Sequence, residues 1–201
     1  MTVRLVSVRA AAALVCLGLT AGPAFAEEAR YEIDPGHTHI VFSVERFGFA
    51  DTIGIFPDGG GELVLDPLAP QNSRVEAYVD TGSLWTGLAS RDAAVAGPSW
   101  LNVETFPQIR FHSTRVTLID ENTATVTGDF ELLGETRSIT FNARLNRVGP
   151  DISVGGREGV GMTITGTLDR TDFGLDTASA LVGHSVDIRI ELLAHRVEAE
   201  D

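Results

Sequence analysis

The chain has 201 residues, 43% of them hydrophobic and 21% charged, a balance that suits one globular domain and leaves little length for a two-domain enzyme. Its 15 basic residues, all arginine, are outnumbered by 28 acidic ones, for a net charge of −13. Such a surface repels phosphate backbones and anionic bilayers, which argues against nucleic-acid binding and against polybasic membrane docking and leaves room only for transient membrane contact.

Residues 1–26 read as a secretory signal peptide. Arg4 and Arg9 precede an apolar run from Ala10 to Leu19, Gly22-Pro23 breaks it, and Ala24-Phe25-Ala26 supplies the A-x-A cleavage pattern. The run falls short of the roughly 20 residues a spanning helix needs. Cys16 lies inside it without a small residue before it, which argues against lipidation. Cleavage after Ala26 leaves one domain, residues 27–201, exported to the periplasm. That domain has no cysteine, so disulfides and thiolate chemistry are excluded and the core alone must hold it.

Period-two alternation governs the rest of the chain, as expected of half-buried strands. In chain order the apolar faces are Ile40/Phe42/Val44, the segment Ile53 to Phe56, the segment Glu62 to Leu65, and Val75/Ala77/Val79. Gly59-Gly60-Gly61 between Asp58 and Glu62 reads as a hairpin turn, and Asp66 to Ser73 as a long loop. A short helix is predicted from Thr86 to Val95, with Thr86 as its cap. The later strands run from Gln108 to Leu118, then through Val126/Gly128/Phe130/Leu132 and Ile139/Phe141/Ala143/Leu145. A loop is expected over Asn146 to Gly159, before Val160/Met162/Ile164/Gly166/Leu168 and Val186/Ile188/Ile190/Leu192.

Eight or nine consecutive strands with one apolar face predict an all-β domain, a single antiparallel β-barrel of about eight strands with a short helical insertion; closure removes exposed edges. A two-sheet sandwich is the alternative. Small inward residues (Ala77, Gly128, Ala143, Gly166, Ala194) either leave space for a ligand or fit a tapering core.

Few motifs carry chemistry. Gly183-His184-Ser185-Val186-Asp187 begins like a nucleophile elbow, but it lacks the final glycine and leads into a strand rather than a helix. His37 and His39 could share one side of a strand, yet no third and fourth metal ligand is evident, and a polar strand start explains them better. Gly159-Val160-Gly161 lacks the third glycine of a dinucleotide fingerprint. Aromatic residues concentrate between positions 42 and 111, which suggests an aromatic wall or mouth as readily as plain core packing. Arg91 could hold a polar head, whereas Asp92 reads better as part of a structural ion pair.

The order of short motifs resembles the YceI-like family of periplasmic lipid-binding proteins over nearly the whole exported domain. The matching pieces are Tyr31-x-Ile33-Asp34, His37-Thr38, Phe42-x-Val44, Gly54-x-Phe56 and Arg91-Asp92. They continue with Phe106-Pro107-x-Ile109-x-Phe111-x-Ser113, Gly128-x-Phe130-x-Leu132, Arg170-x-Asp172-Phe173-Gly174 and Val182-Gly183. The resemblance implies an extended, lipocalin-like barrel whose apolar tunnel holds a polyprenyl lipid or quinone, and it implies no established catalytic activity. The chain departs from the family pattern at Arg46, Ala94-Val95 and Trp100-Leu101, all near the expected tunnel mouth.

On this reading the residues expected to face ligand are Phe42, Val44, Arg46, Phe47, Phe49, Trp85, Leu88, Arg91, Asp92, Trp100, Phe106, Phe111, Ala143, Ile164 and Gly166. No cofactor is expected beyond a bound lipid, the partner is a long-chain amphiphile, and a homodimer stays open. The competing reading is an enzyme acting on a lipid or small amphiphile through His37, His39 or Arg91 at the mouth.

Overall fold

The computed structural model describes residues 28–198. The signal-peptide expectation therefore lies outside the described residues. The chain forms β1 (Ala29–Ile33), β2 (His39–Arg46), β3 (Ala50–Phe56), β4 (Gly59–Leu65) and β5 (Arg74–Asp80), and then the helix α1 (Ala89–Ala96). Five longer strands follow: β6 (Gln108–Leu118), β7 (Thr123–Leu132), β8 (Glu135–Asp151), β9 (Arg157–Asp169) and β10 (Val182–Arg196).

These ten segments make an eight-stranded barrel. Both β1 and β2 pair antiparallel with β10, at Tyr31↔Arg196 and at Ile188↔Phe42, so they run in the same direction along one edge of that strand. Likewise β4 pairs with β1 and β3 with β2, so the chain passes from β3 to β4 without reversing. Counting β1/β2 and β3/β4 as two interrupted strands, the ladder runs on through β5 to β10 and closes where β10 meets β1. Closure uses the backbone donors and acceptors that an open sheet would leave at its edges.

Two expectations about turns are corrected by this topology. Gly59-Gly60-Gly61 is strand, not hairpin turn, and pairs with Val79, Tyr78 and Ala77 of β5. Glycine is needed there because the β5 backbone comes so close. A Cβ on Gly61, whose φ is +144°, would lie 2.1 Å from the Glu76 carbonyl oxygen. Asn146 to Gly159 is mostly strand as well, since β8 and β9 extend beyond the barrel to Asp151 and Arg157, turning through Ile152–Val154. The register shift between Leu145 and Arg147 breaks the alternation at the point where the extension begins, so its pattern does not read as strand.

The helix starts later than predicted, at Ala89, with Leu88 as N-cap and no side-chain cap hydrogen bond. Thr86 instead receives Asp92 from the first turn. Its backbone N–H donates to Asp92 Oδ1 at 2.9 Å, and its hydroxyl donates to the same oxygen. Arg91 completes the clasp, donating to the Thr86 hydroxyl at 2.7 Å and to its carbonyl at 2.8 Å. The adjacent Arg and Asp thus fasten the helix to the segment before it by hydrogen bonds to one threonine, and not through an ion pair.

The apolar interior has two clusters. One, at the end of the barrel that carries α1, contains Phe56, Leu84, Leu101, Phe130, Leu132, Phe141, Leu168, Phe173 and Leu175. The other, toward the β6–β7 hairpin, contains Ala29, Tyr31, Ile33, Leu63, Val160, Leu192 and Ala194. Ile164 packs against both.

Candidate functional site: an apolar bore

Between and along these clusters runs a cavity of about 950 Å³. Its walls follow the inward alternation of every long strand. Val186, Ile188, Ile190 and Leu192 of β10 line it, as do Met162, Ile164 and Leu168 of β9, Phe141, Ala143 and Leu145 of β8, and Val126, Phe130 and Leu132 of β7. The lining reaches from Val182 to Leu192 on β10, a path of roughly 33 Å at 3.3 Å per residue. The bore is therefore long and apolar, a shape suited to an extended hydrocarbon chain and unsuited to a small charged substrate.

The inward glycines do not widen this bore. At Gly166 a Cβ would meet Phe141 Cδ1 at 2.4 Å, at Gly128 it would meet Phe111 Cζ at 2.5 Å, and at Gly54 it would meet Phe42 Cζ at 2.3 Å. Each glycine seats a phenylalanine ring from a neighbouring strand, so the tapering-core explanation holds for Gly128 and Gly166. Ala77 and Ala143 do line open space.

The two ends of the cavity differ in charge. Near α1 its wall includes Arg46, Phe47, Leu88, Arg91 and Arg170; near the β6–β7 hairpin it includes Leu118, Asp120, Glu121 and Arg74. Arg74 is already paired with Glu28 at 3.0 Å, and backbone N–H donation from Asn122 holds the Asp120 carboxyl below its ordinary value. Arg46 stacks on Phe47, 4.2 Å from the ring centre, and among the described residues it forms no ion pair. One mouth is thus cationic and aromatic, the other acidic.

Arg170 is the residue that sequence reasoning missed. It is 2% exposed, and its guanidinium donates to the carbonyls of Gly183 (2.8 Å), Val182 (2.9 Å), Thr177 (3.0 Å) and Leu175. It also lies 5.6 Å from the Trp100 ring. Burial pulls its pKa down. Backbone carbonyls, not a carboxylate, satisfy this buried cation and fold the segment 175–183 over the end of the bore. The Arg170-x-Asp172-Phe173-Gly174 motif is the available signal, but arginine is read by default as a surface residue.

Of the fifteen expected ligand-facing residues, ten line the cavity: Phe42, Val44, Arg46, Phe47, Leu88, Arg91, Trp100, Phe111, Ala143 and Ile164. Five do not. Phe49 is 90% exposed at the β2–β3 turn, and Trp85, whose backbone bridges the edge of β3 at Ile55, is 57% exposed. Asp92 is occupied by Thr86. The Phe106 ring packs against Gly134, where a Cβ would lie 3.1 Å away, and Gly166 is covered by Phe141.

His37 sits outside the bore, with Nδ1 2.9 Å from Asp34 Oδ2, and His39 is exposed on β2. Among the described residues no group of three or more His, Cys, Asp or Glu side chains is placed to hold a metal ion. Gly183 to Asp187 lies within β10, so it forms no nucleophile elbow.

A closed antiparallel barrel with an apolar bore defines the class. The YceI-like domain model matches residues 31–194, and the chain belongs to that family. It is 34% identical over 183 residues to a UPF0312 protein of Pseudomonas putida strain W619, covering 91% of this chain and 94% of that one. A UPF0312 protein of Pseudomonas fluorescens is 33% identical over 157 residues, or 78% of this chain and 81% of its own. Among solved structures, Burkholderia cenocepacia BcnA superposes with a TM-score of 0.72 at 19% identity, covering 80% of this chain and 98% of that one. A polyisoprenoid binding domain from Saccharophagus degradans superposes at 0.59 and 12% identity, covering 85% of this chain and all of its own.

Proposed function

We propose that the protein is a binding and carrier protein for a long-chain amphiphile of polyisoprenoid or quinone type, held lengthwise in the bore, and that it works in the periplasm after export. The observation that carries this reading is the wall of the cavity, apolar along its length and polar only at its ends. Each buried CH₂ contributes about 0.8 kcal/mol, so an extended chain needs few polar contacts to stay bound. The membership in the YceI-like family and the fold shared with a polyisoprenoid binding domain support the same reading.

An enzymatic reading has no comparable support. The side chains it would use do not converge, since His37 is engaged by Asp34, His39 faces outward, and Arg91 is committed to Thr86. The test is direct. Protein exported and purified without detergent is extracted with organic solvent, and the extract is analysed by mass spectrometry. A stoichiometric prenyl lipid is expected. Repeated lipid-free extracts, with no thermal shift on adding prenyl lipids, would refute the proposal.

A further inference from the structure

The two exposed aromatic residues excluded from the bore, Phe49 and Trp85, lie on the segments that carry its cationic mouth, the β2–β3 turn and the approach to α1. Phe49 lies in the β2–β3 turn, Ile53 and Ile55 share the outward face of β3, and Trp85 bridges Ile55 with backbone hydrogen bonds of 2.9 and 3.0 Å. Leu181 joins them from the β9–β10 loop, its carbonyl accepting from the Phe47 N–H at 2.8 Å. Phe49, Ile53, Trp85, Leu88 and Leu181 are each more than half exposed. Water-exposed apolar residues grouped in this way mark a surface with a partner.

We infer that this rim docks on a lipid bilayer surface, placing the Arg46/Phe47 mouth against the headgroups so that an apolar chain passes from the membrane into the bore without crossing water. The inference rests on the proposed function, and two observations select the occupant. First, Phe47 and Leu88 belong both to the exposed rim and to the cavity wall, so the patch is continuous with the bore. A partner seated there covers the mouth, and a bilayer is the one partner that also contains the insoluble chain.

Second, this mouth carries a cation that suits phosphate headgroups. Arg46 lines it, stacked on Phe47 and with no ion-pair partner among the described residues, and the exposed carboxylates of the same hairpin are engaged locally: Glu45 accepts from the Gly48 N–H and Asp51 from the Ser43 hydroxyl at 3.0 Å. The opposite mouth also exposes apolar side chains, Leu68 and Ile119, but Asp120 and Glu121 beside them oppose phosphate headgroups. The net charge of −13 makes flat adsorption unfavourable, so the protein meets the membrane end-on. Aromatic rings at the headgroup level and an arginine beside them are the usual elements of interfacial contact.

The test uses vesicles of phosphatidylethanolamine and phosphatidylglycerol, with flotation reporting association. Phe49→Ser and Trp85→Ser alter rim residues that do not themselves line the cavity, and Leu68→Ser with Ile119→Ser alters the far end as a control. Thermal melts establish that each variant folds. The rim variants are expected to lose vesicle association by about tenfold or more, and to take up a long-chain polyprenol from vesicles correspondingly more slowly. Uptake of the same polyprenol from dilute detergent stays at the wild-type level, and the control variant behaves as wild type.

Equal association by rim variants and wild type would overturn the docking surface. So would a wild-type dimer in sedimentation that Phe49→Ser disperses, with no vesicle association, since the rim would then belong to a second copy. Vesicle association that depends on the rim, combined with no polyprenol uptake from any source, would refute the proposed function while leaving the docking surface standing.

Discussion

The ring of Phe141 occupies the space that a side chain on Gly166 would need, with Cδ1 only 2.4 Å from where a Cβ would stand. The same ring meets Phe111 edge-on, with centroids 5.4 Å apart, and leans on Phe130 at 6.3 Å. Phe141 is therefore both a wall of the bore and a packing element between three strands. Replacing Gly166 by alanine forces it to move. Overpacking of this kind costs about 1–3 kcal/mol, so Gly166→Ala is expected to lower the unfolding free energy by that amount, read as a lower urea midpoint with the unfolding slope unchanged. A variant as stable as wild type would show that the ring is free to retreat.

Ala143 gives the complementary experiment, because its methyl group faces open cavity between Ile164 and Ala124. A larger side chain there fills the bore and displaces no packed ring by necessity. Ala143→Phe should fold, with a melting temperature close to that of wild type, yet lose binding of long prenyl chains. Titration with polyprenols of increasing length measures this. Undiminished binding by the folded variant would place the ligand elsewhere.

Arg170 holds the segment 175–183 through four carbonyl contacts, from Leu175, Thr177, Val182 and Gly183. Hydrogen bonds to charged groups contribute about 1.5–3 kcal/mol each, though not additively. Arg170→Met removes them all while keeping most of the side-chain volume. It should cost about 3 kcal/mol or more and raise hydrogen exchange in residues 175–183 before the barrel itself opens. Uniform exchange across the protein would contradict that local role.

His195, 2% exposed, lies between two carboxylates, with Nε2 2.9 Å from Asp151 Oδ2 and Nδ1 3.6 Å from Asp34 Oδ2. The hydrogen bond from His195, followed by those from Ser153, holds Asp151 well below the usual carboxylate range. A depressed folded-state pKa means that the unfolded chain takes up the proton first as pH falls. The contribution of Asp151 is thus complete above the unfolded value of about 3.9 and fades as pH drops from there toward the folded value. The melting-temperature difference between wild type and Asp151→Asn should be largest near neutral pH and narrow below about pH 4. A difference that widens on acidification would reverse the assigned sign.

Much of the barrel was legible from alternation. Of the inward sets, Val126, Phe130 and Leu132, then Phe141, Ala143 and Leu145, and Val186, Ile188, Ile190 and Leu192 fall on cavity walls, because a half-buried strand must place every second residue inside. Gly59 to Gly61 was not legible. A glycine run that admits a neighbouring backbone has the same letters as one that turns a hairpin. Phe49 and Trp85 were misplaced for a related reason, since aromatic residues in or near a turn carry no register of their own and only the folded β2–β3 turn and the bridge to Ile55 leave them exposed. Arg170 needed three dimensions, as its partners are carbonyls supplied by a loop that follows it. The bore itself could be anticipated from its walls, but its two unlike mouths could not, because Arg46, Arg91, Asp120 and Glu121 are sorted to opposite ends only by the strand order.

The proposed carrier role requires occupation of the bore. Native mass spectrometry of delipidated protein, mixed with a series of polyprenols, measures it most directly. One chain per protein is expected, with retention rising with chain length until the bore is filled, and with the bound species absent for Ala143→Phe. Failure of the wild-type protein to retain any polyprenol, or equal retention by the filled variant, would contradict it.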